Sequence, residues 1–97
     1  EKIAEALKSL ELTDKDILCP VRELSGGMKR RVAIARAIFA DSELIIMDEP
    51  FKGLDEGTRQ KAIDFVLRET KSRTLIVITH SLEEAELLGA DNVIRMV

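Results

Sequence analysis

The sequence predicts an α/β fold in which parallel strands are flanked by helices, and three observations carry that expectation. Two short apolar runs, at 44–47 and 75–78, each end in residues that carry chemistry: Asp48 and Glu49 after the first, Thr79 and His80 after the second. A continuous apolar run reads as a strand buried on both faces, as in a parallel sheet covered by helices. Helical periodicity separates the two runs, and a further apolar stretch at 92–97 follows another helical segment. Strand, helix, strand, helix, strand is a βαβ series, which implies a parallel sheet.

Before the first strand, Ile3, Ala6, Leu7 and Leu10 recur at helical spacing and predict a short amphipathic helix over 2–10. Asp14, Lys15 and Asp16 lead into Ile17 and Leu18, a second helical turn closed by Pro20, whose neighbours should be extended. Ser25 is a good N-cap for the Ala-rich helix running to Ala40. Met28, Val32, Ala35 and Phe39 share one side of it while Ile34 and Ile38 fall opposite, which predicts a helix sandwiched within a larger body. Lys29, Arg30 and Arg31 read as exposed basic residues after the cap.

Beyond the strand at 44–49, residues 51–55 form a loop. Asp55 caps a helix that buries Ile63, Val66, Leu67 and Thr70, with Asp64 and Arg68 paired on its outer side. The second strand covers 74–79. Ser81 with Glu84 three residues later is a capping-box signature for a helix over 82–88, and Gly89 suits the position just past its end. Glu83, Glu84 and Glu86 are expected to face solvent. Residues 92–97 read as a third strand.

Composition narrows the function. Ninety-seven residues, 45% hydrophobic and 34% charged, make at most one small globular domain. With aromatics at 3% and neither Trp nor Tyr, no platform for stacking bases exists. A net charge of −3 lacks the electrostatic footprint of a nucleic-acid binder. Cys19 is the only cysteine, so no internal disulfide forms, which fits a reducing compartment. No apolar stretch approaches the roughly 20 residues of a membrane span. The chain opens at Glu1 within helical periodicity, which predicts a piece of something longer.

Two places carry candidate chemistry. Asp48 and Glu49 stand at the carboxyl end of a strand, where open α/β sheets place their ligands. Such a pair holds a cation or works on a proton, and equally fits an acidic turn. Ser25, Gly26 and Gly27 open a helix whose unpaired N–H groups and dipole suit a phosphate, although an ordinary cap with flexible glycines is the commoner meaning. His80, alone, is a surface histidine at a strand end.

In order, LSGGMKRR at 24–31, LIIMDEP at 44–50, GLD at 53–55 and TH at 79–80 resemble the C-terminal half of an ATP-binding-cassette (ABC) ATPase subunit, a P-loop NTPase domain, from Val21 onward. Ser25, Gly26 and Gly27 resemble its signature motif, and 44–49 its Walker B strand with the catalytic glutamate. Gly53, Leu54 and Asp55 resemble the D-loop, and His80 the switch histidine. The resemblance implies that residues 1–24 end a helical subdomain and 25–97 carry the signature helix and core. It implies Mg²⁺ held at Asp48 through a water, Glu49 as general base, and His80 on the γ-phosphate side. It also implies that Ser25, Gly26 and Gly27 bind the nucleotide of an opposite subunit in a head-to-tail dimer, with Asp55 positioning the facing subunit.

The cofactors so implied are ATP and Mg²⁺. The implied partners are a second ATPase subunit, transmembrane permease subunits and a solute-binding protein, with no nucleic acid, at the cytoplasmic face of the cell membrane. Met28 stands where the commonest signature has Gln, which is similar to importers of the nitrate, sulfonate and taurine kind. Neither a G-x-x-x-x-G-K-[ST] phosphate loop nor a Q-loop occurs. Their absence reads as truncation and implies that this piece alone neither hydrolyses ATP nor binds it tightly. ATPases of DNA repair or chromosome maintenance share the signature and Walker B. The acidic balance and SLEEAELLGAD at 81–91 favour the transporter reading. A non-transport regulatory or translation-associated cassette protein would carry a second cassette.

Overall fold

The computed structural model describes residues 2–18, 20, 22 and 24–95. Cys19, Val21 (where the resemblance begins) and the last two residues of the expected third strand, Met96 and Val97, lie outside them. In chain order the elements are α1 (Lys2–Ser9), α2 (Asp14–Leu18), α3 (Gly26–Phe39), β1 (Leu44–Asp48), α4 (Glu56–Glu69), β2 (Thr74–Ile78) and α5 (Leu82–Leu87). The α/β expectation holds.

β1 and β2 pair in parallel, Ile45 beside Leu75 and Asp48 beside Ile78. Parallel neighbours need a crossover of a dozen or more residues, and α4 supplies it. The ladder runs past both strand ends: the Thr74 N–H donates to the Glu43 carbonyl at 2.8 Å, and the Glu49 N–H to the Ile78 carbonyl at 2.8 Å. Pro50 then closes β1, because it has no N–H to continue the ladder.

One apolar core, aliphatic but for Phe51 and Phe65, lies beneath the sheet. Ile45 and Met47 of β1 join Ile34, Ala35 and Ile38 of α3, Ala62, Ile63, Phe65 and Val66 of α4, Ala6 of α1, Leu10 just beyond it, and Phe51 of the β1–α4 loop. Arg31 fastens α1 to α3, its Nη1 donating to the Leu10 carbonyl at 2.9 Å and its Nε to the Gly27 carbonyl at 3.2 Å. Glu11, with φ of 67°, joins α4 through an ion pair with Lys61 and a hydrogen bond from the Thr58 hydroxyl at 2.9 Å.

Several expectations are corrected. β1 is covered on one face only: Ile45 and Met47 are buried while Leu44 and Ile46 are exposed, and β2 exposes Ile76 and Ile78 on the same pattern. Pleating sends alternate side chains to opposite faces, and the helices that build the core lie on one. In α3 the buried residues are Ile34, Ala35 and Ile38, whereas Phe39 is 40% exposed, so the helix is not sandwiched. Residues 92–95 are irregular, with Val93 and Ile94 exposed. A strand needs a ladder partner, and these described residues pair with none. Glu84 is buried, and Arg30 and Arg31 are half-buried and bonded instead of free in solvent. Among the described residues no helix is long and apolar enough to cross a membrane.

Candidate active site

Contacts from three parts of the chain converge on Glu49. It sits immediately after β1 with φ of 48°, a left-handed conformation that costs a non-glycine residue about 1–2 kcal/mol. Three contacts from different elements hold it there. Its N–H is spent on the Ile78 carbonyl of β2. Its own carbonyl accepts Arg30 Nη1, reaching across from the first turns of α3. Its carboxylate Oε1 accepts the His80 N–H at 3.0 Å and lies 3.4 Å from His80 Nε2. The Glu49 side chain is half-buried, at 22% exposure, while the imidazole is 99% exposed, so a carboxylate backed by protein faces an imidazole open to solvent.

Asp48, the last residue of β1, is exposed. One free carboxylate beside Glu49 is a hard oxygen ligand. Among the described residues no group of three or more His, Cys, Asp or Glu could form a metal cage. That donor set fits Mg²⁺, which takes one or two carboxylates and fills its shell with water and phosphate oxygens.

The second cluster lies at the start of α3. Ser25 is extended, with ψ of 165°, and its hydroxyl accepts the Met28 N–H at 3.1 Å, one of the donors a helix start leaves unpaired. Ser25 and Gly26 are exposed, and a Cβ on Gly26 would meet nothing. A Cβ on Gly27 would lie at ordinary contact distance, 3.4 Å, from Leu54 Cδ2, so the start of α3 lies against the β1–α4 loop. In that loop Gly53 takes φ of 82°. Asp55 follows and caps α4, accepting the Thr58 N–H at 2.8 Å. That bond, the largest cause, holds the Asp55 carboxyl below its ordinary value, and the charge of Arg31 adds to it.

The structure therefore brings Glu49 and His80 together, sets Asp48 beside them, and seats the Ser25–Gly27 turn against the loop that carries Asp55. Arg30 connects the two clusters. Sequence reasoning missed Arg30, because a basic run after a cap is usually solvated, and its long side chain reaches a carbonyl 19 positions away. It also missed the buried Glu84 with its partners Thr79 and Arg59, although the hydroxyl two residues before Ser81 offered a second taker for that carboxylate.

The family described as ABC transporter matches residues 1–52 of the 97. The chain is similar to the taurine import ATP-binding protein of Pelagibacter ubique (strain HTCC1062), 53% identical over 72 residues, covering 72% of this chain and 27% of the relative. It is similar to the aliphatic sulfonates import ATP-binding protein of Bacillus subtilis (strain 168), 41% identical over 91 residues, covering 92% and 35%. Among solved structures it resembles an ATP-binding cassette in a dimeric post-hydrolysis state bound to ADP and Pi, with a TM-score of 0.77 and 34% identity, covering 89% of this chain and 38% of the other. The chain thus spans about a quarter to a third of the length of these curated relatives.

Proposed function

The chain belongs to the ABC transporter family, and on that premise we propose that it is the signature and Walker B part of an ATP-binding subunit that couples ATP hydrolysis to solute transport across a membrane. The observation that carries this reading is the Glu49 carboxylate at the end of a parallel strand, accepting the His80 N–H at 3.0 Å. The sequence of site-bearing turns along the chain and the importer names of two relatives support it.

In this reading Glu49 accepts the proton of a water whose oxygen bonds to the γ-phosphorus of ATP as the bond to the β-phosphate oxygen breaks; a general base has to stand within hydrogen-bond reach of that water. His80 contacts the γ-phosphate side. Asp48 would hold Mg²⁺, which when bound would neutralise phosphate charge. Ser25, Gly26 and Gly27 present a capped helix start to the nucleotide of a second subunit in a head-to-tail dimer, and Asp55 positions that subunit. Residues 1–24 end a helical subdomain, and 25–97 belong to the core.

The partners are a second ATPase subunit, permease subunits within the membrane and a solute-binding protein, and the place of action is the cytoplasmic membrane face. Met28 and the import names of the relatives favour an importer of the nitrate, sulfonate and taurine kind. The chain by itself has no phosphate loop to grip ATP, so it neither turns it over nor binds it tightly.

The test is a cassette in which this chain replaces the corresponding part of a taurine-import relative, with that relative supplying the phosphate loop. Mg²⁺-dependent phosphate release by the hybrid, and none by the 97-residue chain, is expected. A folded hybrid that binds ATP without releasing phosphate overturns the reading, and turnover by the homogeneous chain overturns its inactivity.

A further inference from the structure

Glu84 is 7% exposed, although Glu83 and Glu86 on the same helix face solvent. A carboxylate withdrawn from water destabilises the fold unless it is partnered. Glu84 is partnered from two sides. Its Oε1 accepts the Thr79 hydroxyl at 2.7 Å, and its Oε2 lies 3.9 Å from Arg59 Nη1 on α4. The Thr79 oxygen in turn accepts the Ser81 N–H at 3.1 Å, and the Ser81 hydroxyl accepts the Glu84 N–H at 3.2 Å. In a simple capping box Glu84 would reach back to the Ser81 N–H. Here the Thr79 hydroxyl is interposed, so the loop of bonds closes around His80.

Arg59 is committed to the same place. Its Nη2 pairs with Glu83 at 2.8 Å, and its Nε is buried without a partner among the described residues. Its charged partners are therefore the two α5 carboxylates, Glu83 and Glu84.

We propose that Glu84 is a positioning residue. Through the Thr79 hydroxyl it sets the turn at 79–81, and so holds the His80 N–H on the Glu49 carboxylate, with Arg59 supplying the opposing charge from the helix that follows the Asp55 loop. The consequence for ATP hydrolysis rests on the function proposed above, whereas the placement of His80 does not.

Amide hydrogen exchange by NMR on the 97-residue chain tests this in E84A and in E84Q, which keeps an acceptor oxygen. In E84A the His80 and Ser81 amides should exchange about tenfold faster than in the wild type, the loss of roughly one hydrogen bond, after correction for any change in the core amides of 62–66. In E84Q they should stay near wild type. Unchanged His80 and Ser81 amides in E84A, acceleration only in proportion to 62–66, or equal acceleration in E84Q each overturn the proposal. If E84A does not fold, T79V against T79S is read the same way, since serine keeps the hydroxyl. Failure of the hybrid cassette to release phosphate would sink the functional reading and leave these amides untouched.

Discussion

Phe51 and Phe39 provide a matched pair of perturbations. Phe51 follows Glu49 and Pro50 in the β1–α4 loop and is 1% exposed, packed into the core with Ile45, Met47 and Ile63, whereas Phe39 at the end of α3 is 40% exposed. Truncating a fully buried Phe to Ala removes its transfer free energy and leaves a cavity, together about 3–5 kcal/mol. A chain of this size has a total stability of roughly 5–10 kcal/mol, so F51A should remove about half of it. F39A opens no enclosed cavity and loses only part of the burial, about 1–2 kcal/mol. Urea unfolding followed by circular dichroism, with unchanged slopes in both variants, gives the comparison. Phe51 also anchors the loop between Glu49 and Asp55, so any residual folded F51A should lose protection at the Thr58 amide before the α4 interior does. If F51A costs no more than F39A, the loop is not held by the core as described.

Other predictions follow from single contacts. Substituting Arg30 by Ala leaves the Glu49 carbonyl without its charged donor and should cost about 1–2 kcal/mol, while K29A, at an exposed neighbour, should stay within about 0.5 kcal/mol in the same urea assay. Lys61, first, and then Thr58 hold the Glu11 carboxyl below its ordinary value, as the Thr58 N–H does for Asp55. A depressed carboxylate pKa stabilises fully above the unfolded value and loses that contribution as pH falls through the folded one. The Thr58 amide should therefore lose protection as the pH falls through and below the ordinary carboxylate range, ahead of the α4 interior. The exposed sheet face formed by Leu44, Ile46, Ile76 and Ile78, on a sheet two-stranded among the described residues, should drive self-association, and I46K should shift sedimentation toward monomer.

Local chemistry was the legible part. Ser25, Asp55 and Ser81 each read as a helix cap, and each accepts the N–H three residues on, from Met28, Thr58 and Glu84. Leu44–Asp48 and Thr74–Ile78 read as strands because their apolar runs end abruptly in polar residues. That both strands end in site residues was legible, whereas the meeting of Glu49 and His80 is set by the parallel pairing of those ends. What stayed hidden was set at a distance. A run such as Leu44 to Met47 is apolar at every position, so it cannot say which face is covered. Arg30 and Glu84 belong to residue types that are usually solvated, and only partners 19 positions away for Arg30, and 5 and 25 for Glu84, change that. Residues 92–95 carry strand-forming side chains and no ladder partner, and pairing is not a local property.

The most direct test of the account is Glu49→Gln in the hybrid cassette, measured as phosphate release alongside ATP binding. Gln keeps the shape and the acceptor for the His80 N–H but cannot take a proton from water. Turnover should fall about a hundredfold or more with ATP still bound. Turnover within a few-fold of wild type would contradict it, because the proton would then be going elsewhere.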